Sequence, residues 1–155
     1  MTEYDWALLL HLAAVICFFS GMAIATAAQI GAWGRERSGD VAAVLSLARL
    51  GVLVVAVGLV LVVGSGLWLV DETRRSLGDG WISASLSLLV VSLLLGAVGG
   101  RKAKLARRLA ESQAPEAPVG QEVRGLLRDR TALGANVLAA AAALAILVLM
   151  VWRPQ

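Results

Sequence analysis

Few residues in this chain could do chemistry. His11 is the only histidine in 155 residues, and it stands in the apolar run LLLHLAAVI. An ionisable side chain within a membrane-length apolar segment is a functional candidate by default. Neutral imidazole can ligate haem iron or a soft metal ion. The residue lies about 7 Å in from Trp6 at 1.5 Å of helix rise per residue. Met150, in the last apolar stretch, is the thioether at similar depth. His11 and Met150 are therefore candidate ligands for haem b or copper, on depth alone. Glu3, Asp5, Asp71, Glu72 and Asp79 could add carboxylates at the same end, although no metal-ligand spacing links them. The structural alternative is a neutral histidine bonded to a neighbouring helix, and one histidine cannot build a metal site by itself.

Other chemistry is missing. Cys17 is the single cysteine, so no internal disulfide can form. The chain has no P-loop, no HExxH and no nucleophile paired with a base. Ion-coupled pumps carry their cargo on charged groups inside the membrane, and a small multidrug transporter would need a glutamate in its first helix. Neither is present in the apolar stretches described next. Gln29 and Asn136 are candidates for a hydrogen bond between the first and last helices. The basic balance does not point to nucleic acid, because no aromatic residues interleave with the bases.

The elements that position these residues follow from composition. Hydrophobic residues make up 59% of the chain and charged residues 16%. A soluble domain carries about 25% charge, so an integral membrane protein is expected. Four stretches hold no charge at all: 7–30, 50–70, 81–100 and 131–152. About 20 apolar residues cross a hydrocarbon core, and each stretch is long enough. Trp6, Trp33, Trp68, Trp81 and Trp152 all lie within three residues of a stretch end, where indole rings favour the headgroup region. The expected fold is all-α: a polytopic, single-domain, four-transmembrane-helix up-and-down bundle.

Orientation follows from lysine and arginine. Loops 31–49 and 101–130 hold eleven of them, against three in the two tails and loop 71–80. The positive-inside rule places the two basic loops in the cytoplasm and both termini outside. Met1–Asp5 has two acids and no base, unlike a signal peptide, so the first span is expected to be a retained anchor. Ser38-Gly39-Asp40 reads as an N-cap, with the second helix starting near Asp40. The third helix is expected to run past Gly100 to Leu109. Leu105 and Leu109 would share a face there, and Arg101, Lys102, Lys104, Arg107 and Arg108 would lie against anionic headgroups unless they are merely solvated. SQAPEAPVG at 112–120 reads as a linker, and 121–130 as a short amphipathic helix.

Lipid gives helices no hydrophobic reason to associate, so close packing needs small residues at regular spacing. Candidate seams are Ala13, Cys17, Gly21 and Ala25 on the first helix, and Gly51 and Gly58 on the second. On the third they are Ser92, Gly96 and Gly100, and on the fourth Ala135, Ala139 and Ala143. These are expected to be the helix–helix seams of one bundle; the sharper alternative is that Ser92/Gly96/Gly100 is a homodimer face, and another membrane protein is the other candidate partner of the chain.

Four stretches have a familiar look: His11-Leu12-Ala13-Ala14, Ala48-Arg49-Leu50-Gly51, Gly64-Ser65-Gly66-Leu67-Trp68-Leu69 and the ending Leu147 to Pro154. In these the chain resembles the bacterial membrane proteins grouped as domain of unknown function 2269. The resemblance covers nearly the whole chain and implies no assigned activity. The family is distantly similar to copper-resistance D-type domains and to a haem-binding protoporphyrinogen oxidase family, which place a histidine where His11 stands. The oxidase also uses an intramembrane lysine, whereas Lys102 and Lys104 both fall in a loop.

The leading expectation is a non-enzymatic accessory or interaction subunit of the bacterial plasma membrane. The second is a haem- or copper-handling redox protein using His11. The third, a small-molecule permease, is disfavoured by the charge-free spans.

Overall fold

The computed structural model describes residues 2–152, so Arg153 and Pro154 of the C-terminal motif lie outside the described residues. It is all-helical, with α1 Glu3–Gly31, α2 Ser38–Glu72, α3 Gly80–Glu111, α4 Gln121–Leu127 and α5 Arg130–Trp152. Four helical stretches are long and apolar enough to cross a membrane: α1, α2, α3 and Gln121–Trp152, which takes in α4 and α5. Only 17–28% of the most apolar part of each is buried, so the leucines and valines outside the seams are left for lipid. Trp6 and Trp152 are exposed as interfacial rings would be. At 1.5 Å per residue, the 35 residues of α2 span about 52 Å, more than a hydrocarbon core of about 30 Å. α2 is therefore longer than one perpendicular crossing requires.

The chain forms two compact units. One combines the chain up to Ala28 with Leu47–Leu77, and the other combines Gln29–Ser46 with the chain from Gly78 onward.

In the first unit, α1 buries Ala7, His11, Ala14, Phe18, Gly21 and Ala28. Alternating steps of four and three residues from Ala7 to Gly21, then seven to Ala28, define a heptad seam. On α2, Gly51, Gly58 and Ser65 repeat every seven residues and are buried. The backbones nearly touch. A methyl group on Gly21 would stand 2.6 Å from the Val55 amide nitrogen, and one on Gly58 would stand 2.6 Å from that of Phe18. Of the first-helix residues proposed as a seam, Gly21 is buried, Cys17 and Ala25 are partly buried, and Ala13 is exposed. A four-residue stripe drifts around the helix, whereas a seam near 3.5 residues stays on one side.

In the second unit, α3 and α5 run antiparallel. α3 buries Ser85, Ser92, Gly99 and Ala106, again every seventh residue. α5 buries Ala132, Ala135, Ala139 and Ala143. The Ser92 hydroxyl donates to the Ala139 carbonyl at 2.9 Å. Asn136 donates to Gln29 Oε1 at 2.8 Å, and its carboxamide fills the space a side chain on Gly99 would need. Gly96 and Gly100 have no such neighbour within 4 Å.

Beyond this seam the second unit has an apolar core of its own: Ala32, Val41, Leu45, Ala106, Ala110, Val119, Val123 and Leu127. The extension of α3 is packed there through Ala103, Ala106 and Ala110. Leu105 is exposed and Leu109 packs against the core, so these two do not form one lipid-facing edge. Segment 112–120 is docked instead of hanging as a free linker. Ser38 and Gly39 donate their backbone N–H groups to the Ala117 and Pro115 carbonyls at 2.9 and 3.0 Å, and Val119 donates to Glu36 at 2.8 Å. α2 starts at Ser38, two residues before Asp40. The Ser38 hydroxyl donates to Gln113 Oε1 at 2.6 Å, so another part of the chain takes over the capping expected of that side chain.

Candidate functional site

His11 is 8% exposed in the seam of the first unit. Its Nδ1 lies 3.1 Å from Ser65 Oγ. Ser65 has one hydroxyl proton, and its shortest bond is to the Leu61 carbonyl at 2.5 Å. With that proton directed at Leu61, Oγ offers a lone pair that the Nδ1–H tautomer of the imidazole would fill, and that tautomer would leave the lone pair on Nε2. Gly66 lies beside the ring, where a methyl group would stand 3.3 Å from Cε1. Seven-residue spacing from Gly51 and Gly58 carries Ser65 onto the seam, so α2 reaches His11 with a hydroxyl where it elsewhere presents glycine. This arrangement can hold one imidazole in a fixed orientation.

Among the described residues, no three His, Cys, Asp or Glu side chains gather in a way that could hold a metal ion. Met150 lies on α5 in the second unit and His11 in the first. His11 could supply one nitrogen ligand to a haem iron or a copper ion, and copper would need further donors beyond it.

The bases proposed to meet headgroups are distributed unevenly. Arg101, Lys102, Lys104 and Arg108 are exposed. Arg107 is half-buried and pairs with Glu111 one turn on. Lys102 Nζ lies 3.6 Å from Asp129 Oδ2. Asp129 Oδ1 accepts the Ala132 N–H at 2.9 Å, which caps α5. That bond, with the nearby Lys102 ammonium, holds the Asp129 carboxyl below its usual range. The exposed Arg37–Glu116 pair, at 3.2 Å, adds little.

Three residues of these sites had no role assigned from sequence. Ser65 stands in Gly64-Ser65-Gly66-Leu67-Trp68-Leu69, but its partner is 54 residues away. Gly99 stands between two glycines of a more familiar spacing. The Asp129 signal was available, because an acid three residues before Ala132 is an N-cap pattern.

No curated protein and no solved structure matches the chain. A family model described as predicted integral membrane protein, domain of unknown function 2269, matches residues 6–154. Together with four membrane-length helices, this match shows that the chain belongs to that family of integral membrane proteins.

Proposed function

We propose that the protein is a non-enzymatic accessory or interaction subunit of a bacterial inner membrane, with both termini outside and loops 31–49 and 101–130 in the cytoplasm. The observation that carries this reading is how the polar groups of the spans are used. Ser65 bonds Leu61, Ser85 bonds Trp81, Ser87 bonds Ser83, Ser92 bonds Ala139 and Asn136 bonds Gln29. Each bond ties a helix to itself or to a neighbour, as polar residues in membrane seams do. The apolar faces left outward suit lipid or another membrane protein. The orientation rests on the charge count, and alkaline phosphatase fusions test it. A fusion at Gly78 should be active and one at Gly120 silent; the reverse pattern would overturn the orientation.

A second reading, haem or copper binding at His11, is favoured by the Ser65 hydroxyl 3.1 Å from Nδ1, which can accept a hydrogen from it. A fixed Nδ1–H is the usual companion of an Nε2 ligand. An absorption spectrum and metal analysis of protein purified in mild detergent separate the two. The subunit reading expects a colourless, metal-free preparation. A Soret band or stoichiometric copper, lost on His11→Ala, would replace it with the redox reading.

A further inference from the structure

Arg101 and Lys102 stand where α3 leaves its uncharged stretch, and Arg128 and Arg130 stand where α5 enters its own, with one carboxylate, Asp129, between the last two in sequence. The seam just inside brings these ends together. A methyl group on Gly99 would stand 3.0 Å from the Ala132 carbonyl, and one turn farther out Lys102 meets Asp129 at 3.6 Å. Both Asp129 oxygens are engaged, one by Ala132 and one by Lys102. Arg101, Arg128 and Arg130 are exposed and have no carboxylate partner among the described residues. The junction thus has three more positive charges than negative ones. It is also at a defined depth, because Arg101 follows Gly100 and Arg130 precedes Thr131, the outermost residues of the two uncharged stretches. On the apolar side of that boundary Leu94, Val98, Val137 and Leu138 are exposed.

We infer that this junction binds the phosphate of an anionic phospholipid, whose acyl chains lie along Leu94, Val98, Val137 and Leu138. Arginine presents a planar fork of donors that suits phosphate oxygens. The exposed apolar side chains directly inside favour a lipid over free phosphate, which would have no use for them. The inference rests on membrane placement alone, and holds whichever way the chain is oriented and whether or not it is an accessory subunit.

The test uses the full chain in neutral detergent. Bound lipid is counted by native mass spectrometry during titration with phosphatidylglycerol, with phosphatidylcholine and inorganic phosphate as comparisons. Phosphatidylglycerol should bind most tightly, and inorganic phosphate should not displace it. A basic residue near an anionic headgroup contributes roughly fivefold in affinity. R101Q/R130Q should therefore weaken phosphatidylglycerol binding by about thirtyfold. D129N should strengthen it by about fivefold, because asparagine keeps an oxygen for the Ala132 N–H while releasing Lys102. A merely structural role for Asp129 would not produce that gain. Equal binding of phosphatidylcholine, displacement by phosphate, or weaker binding by D129N would each overturn the inference. Helix content by circular dichroism checks that each variant is folded, and if R101Q/R130Q fails that check, D129N alone decides.

Discussion

Gly21→Leu should force α1 and α2 apart and lower the unfolding free energy by about 3 kcal/mol, the upper end for overpacking. The first added carbon would meet the Val55 amide nitrogen at 2.6 Å and the Gly51 carbonyl oxygen at 2.7 Å. Both atoms belong to helix backbone, which cannot rotate away as a side-chain tip can. The rest of the leucine then needs room that exists only if the helices separate. Separation would also draw Ser65 away from His11. Thermal melting of the detergent-purified protein measures the loss. Gly96→Leu is the matched comparison: the same side chain at a position with no neighbour within 4 Å should melt as the parent does. Because that variant keeps its fold, any change in its cross-linking would report association with a second copy alone. Equal melting of the two variants would mean that α1 and α2 do not approach at Gly21.

Val123→Asp should release α4 and segment 112–120 from the water-side core. Val123 is 1% exposed among Ala106, Ala110, Val119 and Leu127, and no basic group belongs to that core. A buried charge without a partner costs about 3–5 kcal/mol, enough to undock a seven-residue helix. Limited trypsin digestion gives the readout, with faster cleavage after Arg124 and Arg128. Gly125→Asp places the same charge on the same helix at an exposed position with nothing within 4 Å, and should leave the digestion pattern unchanged. Resistance of Val123→Asp to trypsin would mean that this core does not hold α4.

These two sites differ in how much of them could be read from the sequence. The spans were legible because a charge-free run of some twenty residues has few other uses. Gly21, Gly51 and Gly58 were legible as small residues that let helices approach. The seam of α3 was less so. Ser92, Gly96 and Gly100 form a familiar four-residue stripe, but the structure packs Ser85, Ser92 and Gly99. Both patterns pass through Ser92, and local spacing cannot choose between them. The choice comes from α5, where Asn136 needs the space at Gly99. Segment 112–120 read as a linker because its prolines and small residues have no hydrophobic period. Its docking uses backbone hydrogen bonds to residues 36–39, and such bonds leave no trace in side-chain type. His11 was visible as chemistry from the start, but its partner Ser65 was not, because only the fold brings the two together.

The strap across the start of α2 also bears on how the molecule is made. Ser38 and its partner Gln113 are 75 residues apart. At about 5–20 residues per second, a ribosome needs roughly 4–15 s to cover that interval. During that time the first N–H groups of α2 bond only to water, while the rest of the helix can already be in the bilayer. Assembly here runs against the order of synthesis: the first loop to be made is completed by one of the last.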